Sequence, residues 1–232
     1  MISLLLPTRQ RPHNLQRLAN SIIDTASQPE DIEIVTYVDS DDLSYEDLEL
    51  PVKWVRIGGE RVDATGIVNL SHMWNLCYEA SSGEIVMHAG DDICFRTLAW
   101  DETVRAAFDA VPDGILFVYG RDGIQPNTFG THGLVTRQWV EAVGWLFLPL
   151  FSSDMNDVLL NDLAKLVGRH QFIDIYTEHL HFCANKAPID ATTQERLERH
   201  AVDRPDLLYA SPEVQQMIQD AAARLRLAIQ GE

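Results

Sequence analysis

Short apolar runs alternate along this chain with longer amphipathic stretches, and that alternation limits the fold more than any other feature. Ile2 to Leu6 stops at Pro7-Thr8-Arg9, Ile32 to Val38 stops at Asp39-Ser40-Asp41-Asp42, and Val52 to Ile57 stops at Gly58-Gly59. After Ser81-Ser82-Gly83, the run Glu84 to Ala89 ends in Gly90-Asp91-Asp92. Runs this short, rich in branched residues, suit strands buried on both faces. Between them Leu15, Leu18, Ile22 and Ile23 recur at helical spacing before Pro29. Met73, Trp74, Cys77 and Ala80 mark a second helix over Val68 to Ala80. Strand, helix, strand with short connections predicts an α/β sandwich with a mostly parallel sheet, whose ligands bind at the carboxyl ends of the strands. Both acidic turns fall at such ends.

The second half is less regular. Helices are expected at Trp100 to Val111, Trp139 to Val143 and Asp157 to Val167, the last with Val158, Leu159, Leu163 and Leu166 as its stripe. Strands are expected at Ile115 to Tyr119, Gly133 to Thr136 and Phe172 to Tyr176. From Ala187 the chain turns polar, until Ser211 and Pro212 open an amphipathic helix carrying Val214, Met217, Ile218, Leu225 and Ile229. The expected organisation is a main domain over 1–186, split at residue 99 into two halves, and a C-terminal helical appendage over 187–232. That last helix either folds back on the sheet or joins a partner subunit, as in a homodimer.

Eighteen Lys and Arg against 35 Asp and Glu give a net charge of -17, which repels phosphate backbones and anionic lipids. Nucleic acid and membrane surfaces are therefore disfavoured as partners. No apolar stretch reaches the roughly 20 residues of a membrane span, and the start lacks the pattern of a signal peptide, so a cytoplasmic location is expected. Cys77, Cys94 and Cys183 are widely spaced and read as reduced, mostly buried thiols.

Gly90-Asp91-Asp92 is the most informative turn. Hard divalent ions take oxygen ligands, often one or two carboxylates plus substrate phosphates, and a strand end presents them; an ordinary solvated acidic turn is the competing reading. Asp39 stands at a neighbouring strand end, able to accept hydrogen bonds from a base or ribose or simply to begin a turn. Thr8 offers a hydroxyl and Arg9 a fork that grips a diphosphate. His179 and His181 alternate along an expected strand, so both face one way and one of them can complete a metal shell. Zinc is the weaker assignment, since no third histidine is in register.

Taken in order, Pro-Thr-Arg, Val-Asp-Ser-Asp-Asp, Asn75, Ala80, Ser82 to Val86 and Gly90-Asp91-Asp92 resemble the family-2-type GT-A glycosyltransferases. Those enzymes carry Asp-x-Asp at the last position, and here Gly90 stands where the first acid usually does. The resemblance covers about residues 1 to 185. It implies an Mn²⁺ or Mg²⁺ ligand at Asp92, aided by His179 or His181. It also implies a nucleotide-sugar pocket built from Pro7, Thr8, Arg9, Arg11, Asp39, Asn75, Asp91 and His132. Ile93 to Asp101, Thr131 to Arg137 and His179-Leu180-His181 are similar to a subgroup frequent in bacteriophages and bacteria, whose long helix opens with an acidic residue. Asp157 and Asp154 stand there as candidates for the base that deprotonates an acceptor hydroxyl, Asp157 preferred. Either is equally an acidic residue favoured by the helix dipole.

The function so implied is metal-dependent, inverting transfer of a sugar from a nucleotide-diphosphate sugar, with UDP as the expected carrier. The acceptor is open between a glycan, a protein, a small molecule and a modified base. A sugar nucleotidyltransferase would need a glycine-rich, lysine-containing first loop, and a dinucleotide dehydrogenase a G-x-G-x-x-G; neither is present. Gly90 favours the other competing reading, a catalytically silent nucleotide-sugar-binding or protein-interaction module on the same fold.

Overall fold

The computed structural model describes residues 1–63 and 66–231. The first run forms β1 (Ile2–Thr8), and Pro12, whose missing N–H is harmless in a first turn, opens α1 (Pro12–Thr25). β2 (Ile32–Asp39) and β3 (Lys53–Gly59) lead to α2 (Leu70–Ala80), capped by the Asn69 side chain accepting the His72 N–H, and then to β4 (Ile85–His88). β5 (Ile93–Phe95), α3 (Trp100–Asp109), β6 (Phe117–Arg121), β7 (Leu134–Thr136), α4 (Arg137–Val143), α5 (Asn156–Leu166) and β8 (His170–His179) follow. The chain closes with α6 (Ala191–Asp203), α7 (Pro205–Tyr209) and α8 (Pro212–Gln230).

One sheet of order β3-β2-β1-β4-β7-β6-β8-β5 spans the molecule. β1, β2, β3 and β4 run parallel to their neighbours, as do β6 and β8, while β7 is antiparallel to both β4 and β6 and β5 to β8. Strand alternation sends Leu4, Leu6 and Ile34 to one face, under Leu15, Leu18 and Ile22 of α1 and Trp100 and Val104 of α3. Leu5, Val35 and Val86 go to the other, under Met73 and Cys77 of α2, Leu159 and Leu163 of α5 and Ile218 and Leu225 of α8. The result is an α/β/α sandwich with a mostly parallel sheet, as the alternation of runs requires.

The last helix starts where Ser211 and Pro212 place it, the Ser211 Oγ accepting the Val214 N–H at 3.3 Å. It folds back: Val214, Ile218, Ala221, Ala222 and Leu225 are buried in the same core as the sheet, with Met217 left exposed. Several features depart from the sequence reading, α6 in the stretch read as polar among them. β5 is unanticipated because three residues carry no readable period; it pairs antiparallel with β8 and sets Ile93 opposite His179. His181 lies beyond β8 and caps the short 3-10 turn Phe182–Ala184, so it does not alternate with His179 on one strand. Cys183 is exposed, unlike the buried Cys77 and Cys94. Among the described residues no helix is long and apolar enough to cross a membrane.

Candidate active site

The carboxyl ends of β1, β2 and β4 open into a cavity of about 250 Å³, closed on its far side by the turn before α5, by the end of β8 and by α6. Pro7, Thr8, Arg9 and Arg11 line it from the β1 end, Tyr37 and Asp39 from β2, and His88 to Asp92 from β4. His132, Asp154, Asp157, His179 and His181 line it too. Asp39 and Asp92, far apart in sequence, therefore border one cleft because their strands flank β1 in the same sheet.

Asp39 is buried, and its Oδ2 accepts from Arg9 at 2.9 Å and from Arg61 at 2.6 Å. Arg9 also holds the exposed Asp41. Asp91 accepts the Thr8 hydroxyl at 2.6 Å and longer contacts from Arg11 and Asn14 at 3.4 Å. Burial pushes the Asp91 pKa up to about 6, and the neighbouring Asp92 charge adds to the rise. Burial also opposes ionisation of Asp92, but the His179 hydrogen bond and charge outweigh it, and the Asp92 pKa falls to about 2. Of the adjacent pair, Asp92 is thus the one that keeps its charge longer as the pH falls.

One oxygen of Asp92 and one ring nitrogen each of His179 and His181 lie within 4.8 Å of one another, and this is the one such cluster among the described residues. Backbone bonding builds it: the Leu180 N–H donates to the Asp92 carbonyl at 2.8 Å, locking the end of β8 beside the β4 turn. His179 Nε2 stands 3.3 Å from Asp92 Oδ2. His181 Nδ1 accepts a long 3.4 Å contact from the Cys183 N–H. An ionised carboxylate and two imidazoles converging on one point fit a divalent cation. Gly90 belongs to this geometry, since a Cβ there would sit 2.8 Å from Asp92 Oδ1 and 3.6 Å from His132 Cε1. Any side chain at position 90 would press on the cluster.

The two base candidates separate clearly. Asp154 is spent on an ion pair with Arg196 at 3.0 Å and on His200 Nδ1 at 2.5 Å. Asp157, in the first turn of α5, makes no ion pair among the described residues; the Val158 N–H bonds one oxygen at 2.8 Å. Burial raises the Asp157 pKa to about 6, and the Asp154 charge contributes. The residue before α5, Met155, has φ 79°, a left-handed conformation disfavoured for a side chain, in the turn that aims Asp154 and Asp157.

Asn75 does not belong to this constellation. Its amide brackets Phe147, donating to that carbonyl at 2.8 Å and accepting from that N–H at 3.0 Å, and it lies outside the cavity wall. Both halves of the amide fix the loop after α4, which corrects its assignment to the nucleotide pocket. His132 does line the cavity, with both ring nitrogens buried and unpartnered and its pKa driven far down by burial. Sequence reading missed His88, wedged between Trp74 at 4.6 Å and Phe147 at 4.9 Å between ring centres, and kept neutral by burial with a pKa near 4. It also missed Arg61, Arg196 and Arg199.

No family model matches the chain, and no curated protein matches its sequence. Solved structures do match in shape. TarS 1-349 of S. aureus in complex with UDP-GlcNAc superposes with a TM-score of 0.56 at 15% identity, over 98% of this chain and 81% of that one. The mannosyltransferase PcManGT of Pyrobaculum calidifontis, in complex with GDP-Man and Mn²⁺, gives 0.53 at 14% identity, over 100% and 75%. The fold is that of the GT-A glycosyltransferases. Glucosyl-3-phosphoglycerate synthase of Mycobacterium tuberculosis, in complex with Mg²⁺ and UDP, agrees with a TM-score of 0.51 at 14% identity, over 88% and 79%. Set within the GT-A fold, Asp39 and the Asp92 cluster occupy the strand ends where α/β sheets bind ligands.

Proposed function

We propose that this chain is a glycosyltransferase that moves a sugar from a nucleoside-diphosphate sugar, a UDP-sugar foremost, to an acceptor hydroxyl with inversion. The observation that carries the reading is the sharing of one cleft by Asp39 and by the Asp92, His179 and His181 cluster. Neighbours of the same fold are complexes with UDP-GlcNAc, with GDP-Man and Mn²⁺, and with UDP and Mg²⁺, which supports both the donor class and the cation. Asp92, His179 and His181 would hold Mn²⁺ or Mg²⁺, which supplies charge neutralisation for the departing diphosphate. Asp39, with Arg9 and Arg61 on its carboxylate, presents an acceptor and donors side by side to a base or ribose. Thr8 holds Asp91 in place. Asp157 takes the proton of the acceptor hydroxyl as its oxygen attacks the anomeric carbon, and no covalent intermediate is needed.

Gly90 is the feature that favours a silent module on this fold; against that reading, a Cβ there would stand 2.8 Å from Asp92 Oδ1, so the glycine gives that carboxylate room. The test is release of UDP from a panel of UDP-sugars with Mn²⁺ and a mixture of hydroxyl acceptors. Release that stops on chelation supports the transferase. UDP binding with no release for any donor and acceptor would leave a binding module.

A further inference from the structure

Two guanidinium groups that this reaction leaves unassigned line the cavity, Arg196 and Arg199 on α6, and Arg61 from beyond β3 stands with them. Arg196 is paired with Asp154 at 3.0 Å. Arg61 takes Asp39 at 2.6 Å and also Glu195. Arg199 reaches the Ser152 carbonyl at 3.3 Å and Glu195 at 3.2 Å. Glu195 therefore serves two guanidiniums, and Asp39, which holds Arg61, also serves Arg9. Among the described residues Arg199 has no carboxylate to itself, although its side chain is only 13% exposed. Burial lowers its basicity, and Arg61 and Arg196 lower it further against the pull of Glu195 and Asp203. In a chain of net charge -17, the three guanidiniums of this corner share Asp39, Glu195 and Asp154.

Arg196 and Arg199 are bonded to the turn before α5. Ser152 and Asp154 belong to the turn that runs into α5 and the Asp157 carboxylate, whereas Arg9 and Arg11 already stand at the β1 end beside Asp39 and Asp91. A guanidinium anchored by one carbonyl and a shared carboxylate keeps N–H donors in the planar fork that matches phosphate. The helix carrying these arginines has no apolar stripe, Thr193 being its only buried residue, so polar contacts across the cavity are what hold it there.

We propose that Arg199, supported by Arg196, forms an anion subsite for a phosphate group carried by the acceptor, separate from the diphosphate of the donor. The acceptor is then a phosphorylated molecule whose hydroxyl meets Asp157 while its phosphate displaces Glu195 and Asp154 from the α6 arginines. This rests on the glycosyltransferase reading for its site, but its test does not need turnover.

The experiment is a thermal-melt titration of inorganic phosphate into the full chain saturated with UDP and Mg²⁺. Phosphate is expected to raise the melting temperature saturably in the presence of UDP. Arg199→Gln should weaken that response about tenfold or more, Arg199→Lys by less, and Arg196→Gln by an intermediate amount, with UDP affinity changed less than about threefold. Phosphate that competes with UDP, or an Arg199→Gln variant that loses UDP and phosphate together, overturns the proposal and hands Arg199 to the donor. Should UDP itself not bind, the donor reading falls; the same titration without UDP then decides the subsite alone, and an unchanged response in all three variants refutes it.

Discussion

The two ends of the parallel sheet each bury carboxylates, and Asp91 and Asp157 at the carboxyl end are treated in the opposite way to Glu33 at the amino end. At the amino end Glu33, fully buried, takes the Ser3 hydroxyl and the Ser82 N–H at 2.6 Å and an ion pair from Lys53 at 2.6 Å. Burial opposes its ionisation, yet these partners win and its pKa falls to about 2. At the carboxyl end Asp157 has backbone donors alone and Asp91 one hydroxyl with two long contacts, and burial lifts both to about 6. A buried carboxylate with every lone pair answered ties strands together. One left short of donors is poised to take a proton, and only a working cleft tolerates it.

The sharpest way to break this contrast is to remove the ionised member of the carboxyl end. Asp92→Asn or His179→Ala should cut UDP release by about 1000-fold or more, since several kcal/mol of charge stabilisation depend on the cation they hold. A loss under tenfold in acceptor-dependent UDP release would detach the cluster from the chemistry. Asp157→Asn should lower turnover by roughly 100- to 10,000-fold with donor binding retained. In the unsubstituted chain, turnover should rise through pH 6 as Asp157 ionises and level off above it; a rate independent of pH from 5 to 8 removes Asp157 as base.

Stability should respond in the opposite sense. Glu33→Gln is expected to destabilise the fold by about 2–4 kcal/mol, because Lys53 and two serines lose a charged partner, while UDP binding is unaffected; denaturant melts with a binding assay measure both. Glu33 stabilises above its unfolded pKa of about 4.5, and that contribution fades as the pH falls toward 2. Asp157 runs the other way: its raised pKa favours the folded state below about pH 4, a benefit lost as the pH rises through 6. Asp157→Asn should therefore stabilise by up to about 3 kcal/mol at pH 8 and by almost nothing at pH 4, in paired melts. Equal effects at the two pH values would mean the carboxylate is better solvated than its setting implies.

How much of this was legible follows from where the signals are local. β1, β2 and β4 show as apolar runs because they are buried on both faces, and Asp39 and Asp92 stand out because each ends such a run. Ser211 and Pro212 announce α8 for the same reason: capping chemistry is written in adjacent residues. α6 could not be read, having no apolar face for periodicity to find, and with it went Arg196 and Arg199, whose partners Asp154 and Ser152 lie more than 40 residues away. Asn75 failed differently. Its place on α2 was right, but helical spacing does not tell which loop packs beside a given rung, and here Phe147 does.

The central claim is that the ends of β2 and β4 make a single site for a cation and a nucleoside diphosphate. Isothermal titration of UDP into the chain, with and without Mn²⁺ and into Asp92→Asn, measures this directly. The account predicts binding that weakens at least about tenfold when either the ion or the Asp92 carboxylate is removed. UDP affinity indifferent to both, or no binding in the presence of Mn²⁺, would contradict it.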